Sequence, residues 1–214
     1  MSEGIFVIAR IIAAIITGVL GPFVIWWLKE RYDQEEDQLD DENGSSVDEE
    51  VKFAQNISKE LESIREELEA GRTWIAQFHN GGKLLSSVRD ASMKRVSVTH
   101  EVTAAGVSKE QRTFSEVLVS FFSEMIDRLI KNDYVTYKGN QVDVDPEVEL
   151  LFRQRGTEQM YLFSMRNIDG VLIGILGVDY TSREESLNEQ EVQYLKAKAS
   201  LLAGYIFYGN VQED

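Results

Sequence analysis

A chain of 214 residues is long enough for one domain of ordinary size plus an appendage, with a core that needs no staples. It contains no cysteine, which excludes disulfides, thiolate nucleophiles and thiolate-bound zinc and leaves any metal chemistry to His79, His100 and carboxylates. A formal net charge of −15, with no Lys/Arg-rich stripe, argues against a nucleic-acid partner, because phosphate binding needs a basic surface to release counterions.

In chain order, the first element is Ile11 to Leu28, IIAAIITGVLGPFVIWWL, an uncharged run of eighteen residues. That is about the roughly 20 residues a helix needs to cross the hydrocarbon layer. No basic segment precedes it and no small-residue cleavage site follows it, while Trp26, Trp27, Lys29 and Arg31 read as interfacial anchors. Residues 1–31 are therefore expected to be a single-pass anchor in the inner membrane. Lys29 and Arg31 pull the carboxyl side inward and Arg10 pulls the other way; the expectation is a cytoplasmic C-terminal domain. Ala13, Thr17 and Gly21 recur every four residues, as do Ala14 and Gly18, a stripe on which a second helix can pack, although small residues are common in such helices anyway.

The stretch from Asp33 to Glu50, DQEEDQLDDENGSSVDEE, holds ten acids and no base, a composition that cannot bury a core, so residues 32–50 read as a solvated linker. From Val47 to Leu68 a seven-residue repeat places Val47, Ala54, Leu61 and Leu68 at one position and Glu50, Ile57 and Ile64 at the other. A parallel coiled coil and an amphipathic helix packed on its own domain predict the same stripe, so residues 51–71 are a lead-in helix of either kind.

The domain is expected over residues 72–214. Thr73 to Phe78 reads as a short strand, and Val96 to Thr103 alternates at period two as a half-buried strand does. A helix capped by Thr113 is predicted next, with Phe114, Val117, Phe121, Met125, Ile126 and Leu129 as its buried face. Tyr134 to Lys138 reads as a strand, and DPEVELLFRQRG as a short helix with Asp145 at its N-cap, Pro146 in the first turn and Gly156 past its end. Two strands flank the turn Asn167-Ile168-Asp169-Gly170. The last helix begins at Asn188, which with Glu191 forms a capping pair, stapled by Leu187 and Val192; its buried face is Val192, Leu195, Ala199, Leu202 and Ile206. This order predicts an α+β domain, one antiparallel sheet flanked by helices.

The element order, the hairpin DGVLIGILGVDY and the closing helix resemble the GAF domain, a sensor module related to PAS domains. FHNGG followed by SMKRVSVTHEV is similar to membrane-anchored GAF-like proteins of bacteria and phages. The resemblance covers Leu61 to Phe207. It implies small-molecule binding between the sheet and its loops, or dimerisation, rather than hydrolysis. No output domain and no chromophore-bearing cysteine accompany it in this chain.

Within FHNGG the Asn-Gly pair favours positive φ and places His79 at the sheet's rim. If the first two strands pair, Ser97, Thr99 and Glu101 share one face and Glu101 approaches His79. The expected ligand-binding residues are His79, Asn80, Gly81, Thr99 and Glu101, in a polar pocket; the alternative is that His79 and Asn80 merely fix a turn. No catalytic residue, metal or cofactor is expected: His79 and His100 are twenty-one residues apart on no ligand-spacing motif, and Gly170, Gly174 and Gly177 form no phosphate loop but read as glycines of a close-packed strand. The expected partners are a second copy of the chain, the bilayer, and a small molecule or a protein. The alternative to a sensor is a phage-type membrane-tethered scaffold, or a lysis-related protein, without a ligand.

Overall fold

The computed structural model describes residues 47, 48, 50–81, 93–139 and 146–209. The expected membrane anchor, most of the acidic linker and the Asp145 cap lie outside them. Among the described residues no helix is long and apolar enough to cross a membrane.

Helix α1 (50–67) leads into β1 (Arg72–His79) and β2 (Arg95–Thr103). A two-residue strand β3 (Val117–Leu118), a 3-10 turn (Val119–Phe122) and α2 (Ser123–Lys131) follow. Then come β4 (Tyr134–Lys138), α3 (Pro146–Arg155), β5 (Gln159–Arg166), β6 (Leu172–Tyr180) and α4 (Glu189–Gly209). The fold is α+β: the strands form one six-stranded sheet in the order β3-β2-β1-β6-β5-β4, antiparallel at every pairing.

The sheet buries both faces. On one, Ile57, Leu61, Ile64 and Leu68 of the lead-in segment and Val192, Leu195, Ala199, Leu202 and Ile206 of α4 pack against Ile75, Phe163, Leu176 and Val178. The heptad stripe from Ile57 onward is thus used within the chain's own core, while Val47 and Val51 are exposed. On the other face, Phe122, Met125, Ile126 and Leu129 of the α2 region and Val148 and Phe152 of α3 cover Trp74, Ala76, Phe78, Val98 and Leu162.

The local signals act as their chemistry predicts. Asn188 Oδ1 accepts the Glu191 N–H at 3.0 Å and Glu191 Oε2 accepts the Asn188 N–H at 2.7 Å, satisfying two donors that a helix start leaves open. In the β5–β6 turn Asn167 Oδ1 accepts the N–H groups of Asp169 and Val171, and Gly170 takes φ +78°. Gly177 pairs with Trp74, and a Cβ there would overlap the indole; a Cβ at Gly174 would sit 2.7 Å from the Ala76 carbonyl.

The helix expected from Thr113 is corrected. Residues 111–116 are turns and bends, and helical structure starts only at Val119. Glu116 sits at φ +62°, outside any right-handed helix. Thr113 and Phe114 still bond back to the Glu110 carbonyl, but beyond them amides turn to a neighbouring stretch of the chain: Glu116 N–H to Ser97 Oγ of β2 at 2.7 Å and Val119 N–H to the carbonyl of Lys94, just before β2, at 2.9 Å. Phe121, expected inside, is exposed, and Phe122 is buried in its place.

Candidate functional site

The FHNGG corner is a knot of hydrogen bonds. β1 ends at His79, only 4% exposed, and Gly81 turns the chain at φ +66°. His79 Nδ1 lies 3.2 Å from the Gly81 carbonyl, which can only accept, so Nδ1 carries a proton; Nε2 is 2.8 Å from the Ser97 hydroxyl. Glu116 is held further by Arg95, whose Nη1 is 3.1 Å from its carbonyl and 3.3 Å from its carboxylate. Asn80 Oδ1 accepts the Lys94 N–H at 3.0 Å.

Thr99 and Glu101 do not join this corner. Ile75 pairs with His100 and Ala76 with Val98, so a bulge leaves Thr99 unmatched. An extra residue flips the alternation of everything beyond it. Ser97, opposite Gln77, and Glu101, opposite Trp74, consequently point to opposite faces, and the expected approach of Glu101 to His79 does not occur. Thr99 offers its carbonyl to Gln111 Nε2 at 2.5 Å. His100, on the face of Ile75, is buried enough that desolvation holds its pKa below the ordinary 6.5.

Glu101 instead enters a buried cluster of four charges. Its Oε1 is 3.0 Å from Arg72 Nε and 3.4 Å from Arg155 Nη2, and Asp179 Oδ2 is 2.9 Å from Arg72 Nη1 and 3.1 Å from Arg155 Nε. Trp74 Nε1 donates to Asp179 Oδ1 at 2.9 Å. Two cations and two anions sum to zero. The Arg155 guanidinium lies over both the Trp74 and the Phe114 ring, 5.0 and 5.1 Å from their centroids, a favourable arrangement for a cation.

Ser97, Thr99 and Glu101 are united by another role, since all three fasten the irregular segment 108–119 to β2. Ser97 Oγ takes the Glu116 amide, the Thr99 carbonyl takes the Gln111 side chain, and Glu101 Oε2 accepts the Glu110 and Gln111 N–H groups at 2.8 and 2.7 Å. Beneath this strap lies a cavity of about 40 Å³. Phe114 and Val117 of the strap, Trp74 and Ala76 of β1 and Met125 of α2 line it, with Arg155 as the one charged residue in its wall. None of His79, Asn80, Gly81, Thr99 and Glu101 lines it. Sequence reasoning missed Trp74, Phe114 and Arg155. The available signal was Gly177, whose missing side chain makes room for the Trp74 indole.

No protein-family model matches the chain, and no curated protein matches it. Solved structures do. The blue-light absorbing GAF domain of PixJ from Thermosynechococcus elongatus superimposes with a TM-score of 0.58 at 15% identity, over 75% of this chain and 88% of that one. The fold is GAF-like. The GAF domain region of a protein from Geobacter sulfurreducens, described as a membrane protein, shares that fold with a TM-score of 0.55 at 13% identity, over 76% of this chain and 98% of its own. A far-red absorbing protein in its dark state with bound biliverdin IXa gives 0.55 at 14%, over 75% and 97%. At these identities the likeness to GAF domains is one of fold.

Proposed function

We propose that the chain is a non-catalytic, GAF-like sensory module that binds a small molecule in the cavity beneath the strap and is held at the membrane by its apolar run 11–28 as a homodimer. The observation that carries the binding reading is the cavity's place on β1. Trp74 and Ala76 line it, while on the other face of the same strand Ile75 lies in the core shared with α1, and Thr73 Oγ1 donates to the Leu61 carbonyl at 2.8 Å. An occupant that moves β1 therefore acts on the helix that leads back toward the proposed anchor. The sheet is the connection.

A bilin, which one of the structural neighbours holds, does not fit this reading. Sites for drug-sized ligands measure roughly 300–1,000 Å³, against about 40 Å³ here, and the chain has no cysteine to tether a chromophore. A non-catalytic role is supported by the way the buried carboxylates are used, each held by guanidinium groups and by amide or indole N–H groups. In this reading His79, Asn80 and Gly81 set the strap's hinge, and Ser97, Thr99 and Glu101 are its fastenings.

The test is to purify the full chain in lipid nanodiscs, extract it with solvent and identify what is released by mass spectrometry, beside Ala76→Leu, which fills the cavity. A compound present in the unmodified protein and lost in the filled variant supports the sensor. Identical extracts turn the assignment to the scaffold without a ligand.

A further inference from the structure

We infer that the cavity selects a small uncharged molecule with an apolar body and one hydrogen-bond acceptor, the acceptor lying against Arg155. This rests on the cavity being the binding site and adds its chemical class.

Size comes first. One water needs on the order of 10–15 Å³ of such space, so about 40 Å³ takes about three to four heavy atoms. Apart from Arg155 the walls are apolar side chains, Trp74 among them with its one N–H already given to Asp179. The occupant's body is therefore hydrocarbon.

Polarity follows from Arg155. Its Nε and Nη2 are committed to Asp179 and Glu101, its Cζ lies over the Trp74 and Phe114 rings, and Nη1 hydrogen-bonds to no described residue. Nη1 is not among the fully buried atoms that lack a partner, so an occupant that displaces water from the cavity must offer it an acceptor in the water's place, which an oxygen on the ligand does.

Charge is settled by the cluster as a whole. Arg72 and Arg155 are already neutralised by Glu101 and Asp179 in a water-poor site. An anion would leave one uncompensated negative charge there, and a cation would meet the guanidinium directly. A carbonyl or hydroxyl oxygen satisfies Nη1 and leaves the balance at zero.

Three probes of the same branched, four-heavy-atom shape separate the possibilities: acetone, isobutene and acetate. The full chain, labelled with ¹³C at its methionine methyls and held in nanodiscs, is titrated with each. Met125 and Met160 line the cavity, whereas Met165 lies in the core on the other face of the sheet and serves as the control. The expected result is saturable shifts of Met125 and Met160 but not Met165 with acetone, an acetone Kd no weaker than that of isobutene, and no shift with acetate at equal concentration. Burying a carbonyl with no donor makes acetone weaker than isobutene by about tenfold or more. That order of affinities overturns the acceptor site while leaving the cavity a binding site. Acetate binding as well as acetone overturns the charge argument. No shift with any probe overturns both the ligand class and the binding reading. Only the probe changes between arms, so every arm reads the same folded protein.

Discussion

Side chains in this domain divide into those whose loss leaves neutral hydrogen-bonding groups without a partner and those whose loss strands a charge. Ser97 is of the first kind: Ser97→Ala leaves the Glu116 amide and His79 Nε2 without their partner, a cost of about 1–3 kcal/mol. Glu101 is of the second. Glu101→Gln keeps the shape but leaves the buried pair Arg72 and Arg155 with a single anion, a loss of about 3–5 kcal/mol. Urea unfolding of both variants checks the order, and a Glu101→Gln cost equal to or below that of Ser97→Ala would show the cluster is not acting as one unit. His100 gives a pH signature. Its folded pKa lies below the ordinary 6.5 because burial disfavours the charged ring, so below that pH the unfolded chain takes up a proton the folded chain refuses. Stability is therefore full above the unfolded value and falls as pH drops through it. Between about pH 7.5 and about pH 5.5 the native chain is expected to lose more stability than His100→Asn, a variant that cannot titrate there. Parallel pH curves for the two proteins would remove His100 as a cause.

Elements whose signals are local were legible in the sequence, and those set by a partner strand were not. The Asn188 and Glu191 cap, the Asn167 turn and the faces of α4 depend on residues within about a helical turn of each other, and they form as predicted. The segment 113–122 carries helical spacing in Phe114, Val117 and Phe121 but gives the Glu116 and Val119 amides to Ser97 and Lys94 of a neighbouring stretch of the chain, a competitor no local pattern displays. The bulge at Thr99 is equally silent in the sequence, and it separates two halves of a motif that looked like one site. Arg72 and Asp179 meet across a separation of 107 residues, so the charged cluster needs the whole sheet order to appear. Strand glycines carried more information than their usual reading suggests. Gly177→Ala places a methyl into the Trp74 indole, which is fixed by Asp179 and forms the cavity wall. The expected outcome is a large loss of stability with displaced indole fluorescence, whereas Gly170→Asn, at an exposed turn, is expected to cost only a small fraction of it. Similar melting temperatures for the two variants would mean that β6 yields easily at Gly177.

At the scale of the whole molecule the question is which surface remains for a second copy once the domain has covered its own core. From Ile57 to Leu68 the stripe of the lead-in segment faces the sheet, so replacing Ile64 by Ala opens a core cavity and costs about 2–5 kcal/mol rather than changing assembly. Among the large apolar side chains that the described residues leave in water, two pairs bear on pairing: Val47 and Val51, 64% and 48% exposed, and Leu201 with Tyr205 on α4, each 41% exposed and one turn apart. The proposed anchor favours the first, because two anchors side by side bring the residues nearest them together at high effective concentration. The absence of cysteine makes the choice measurable, since any disulfide must come from an introduced thiol. In membranes, mild oxidation of Val47→Cys is expected to convert most of the chain to a disulfide-linked dimer, because such a bond forms only when the two Cα atoms come within about 7 Å. Ile57→Cys, buried against its own domain, should stay monomeric under the same conditions. Crosslinking through Leu201→Cys instead would place the pairing on α4 and free the start of α1 to respond to the cavity. No crosslink from either pair would turn the search for a pairing surface to the other exposed apolar residues, Leu118, Phe121 and Ile130 among them.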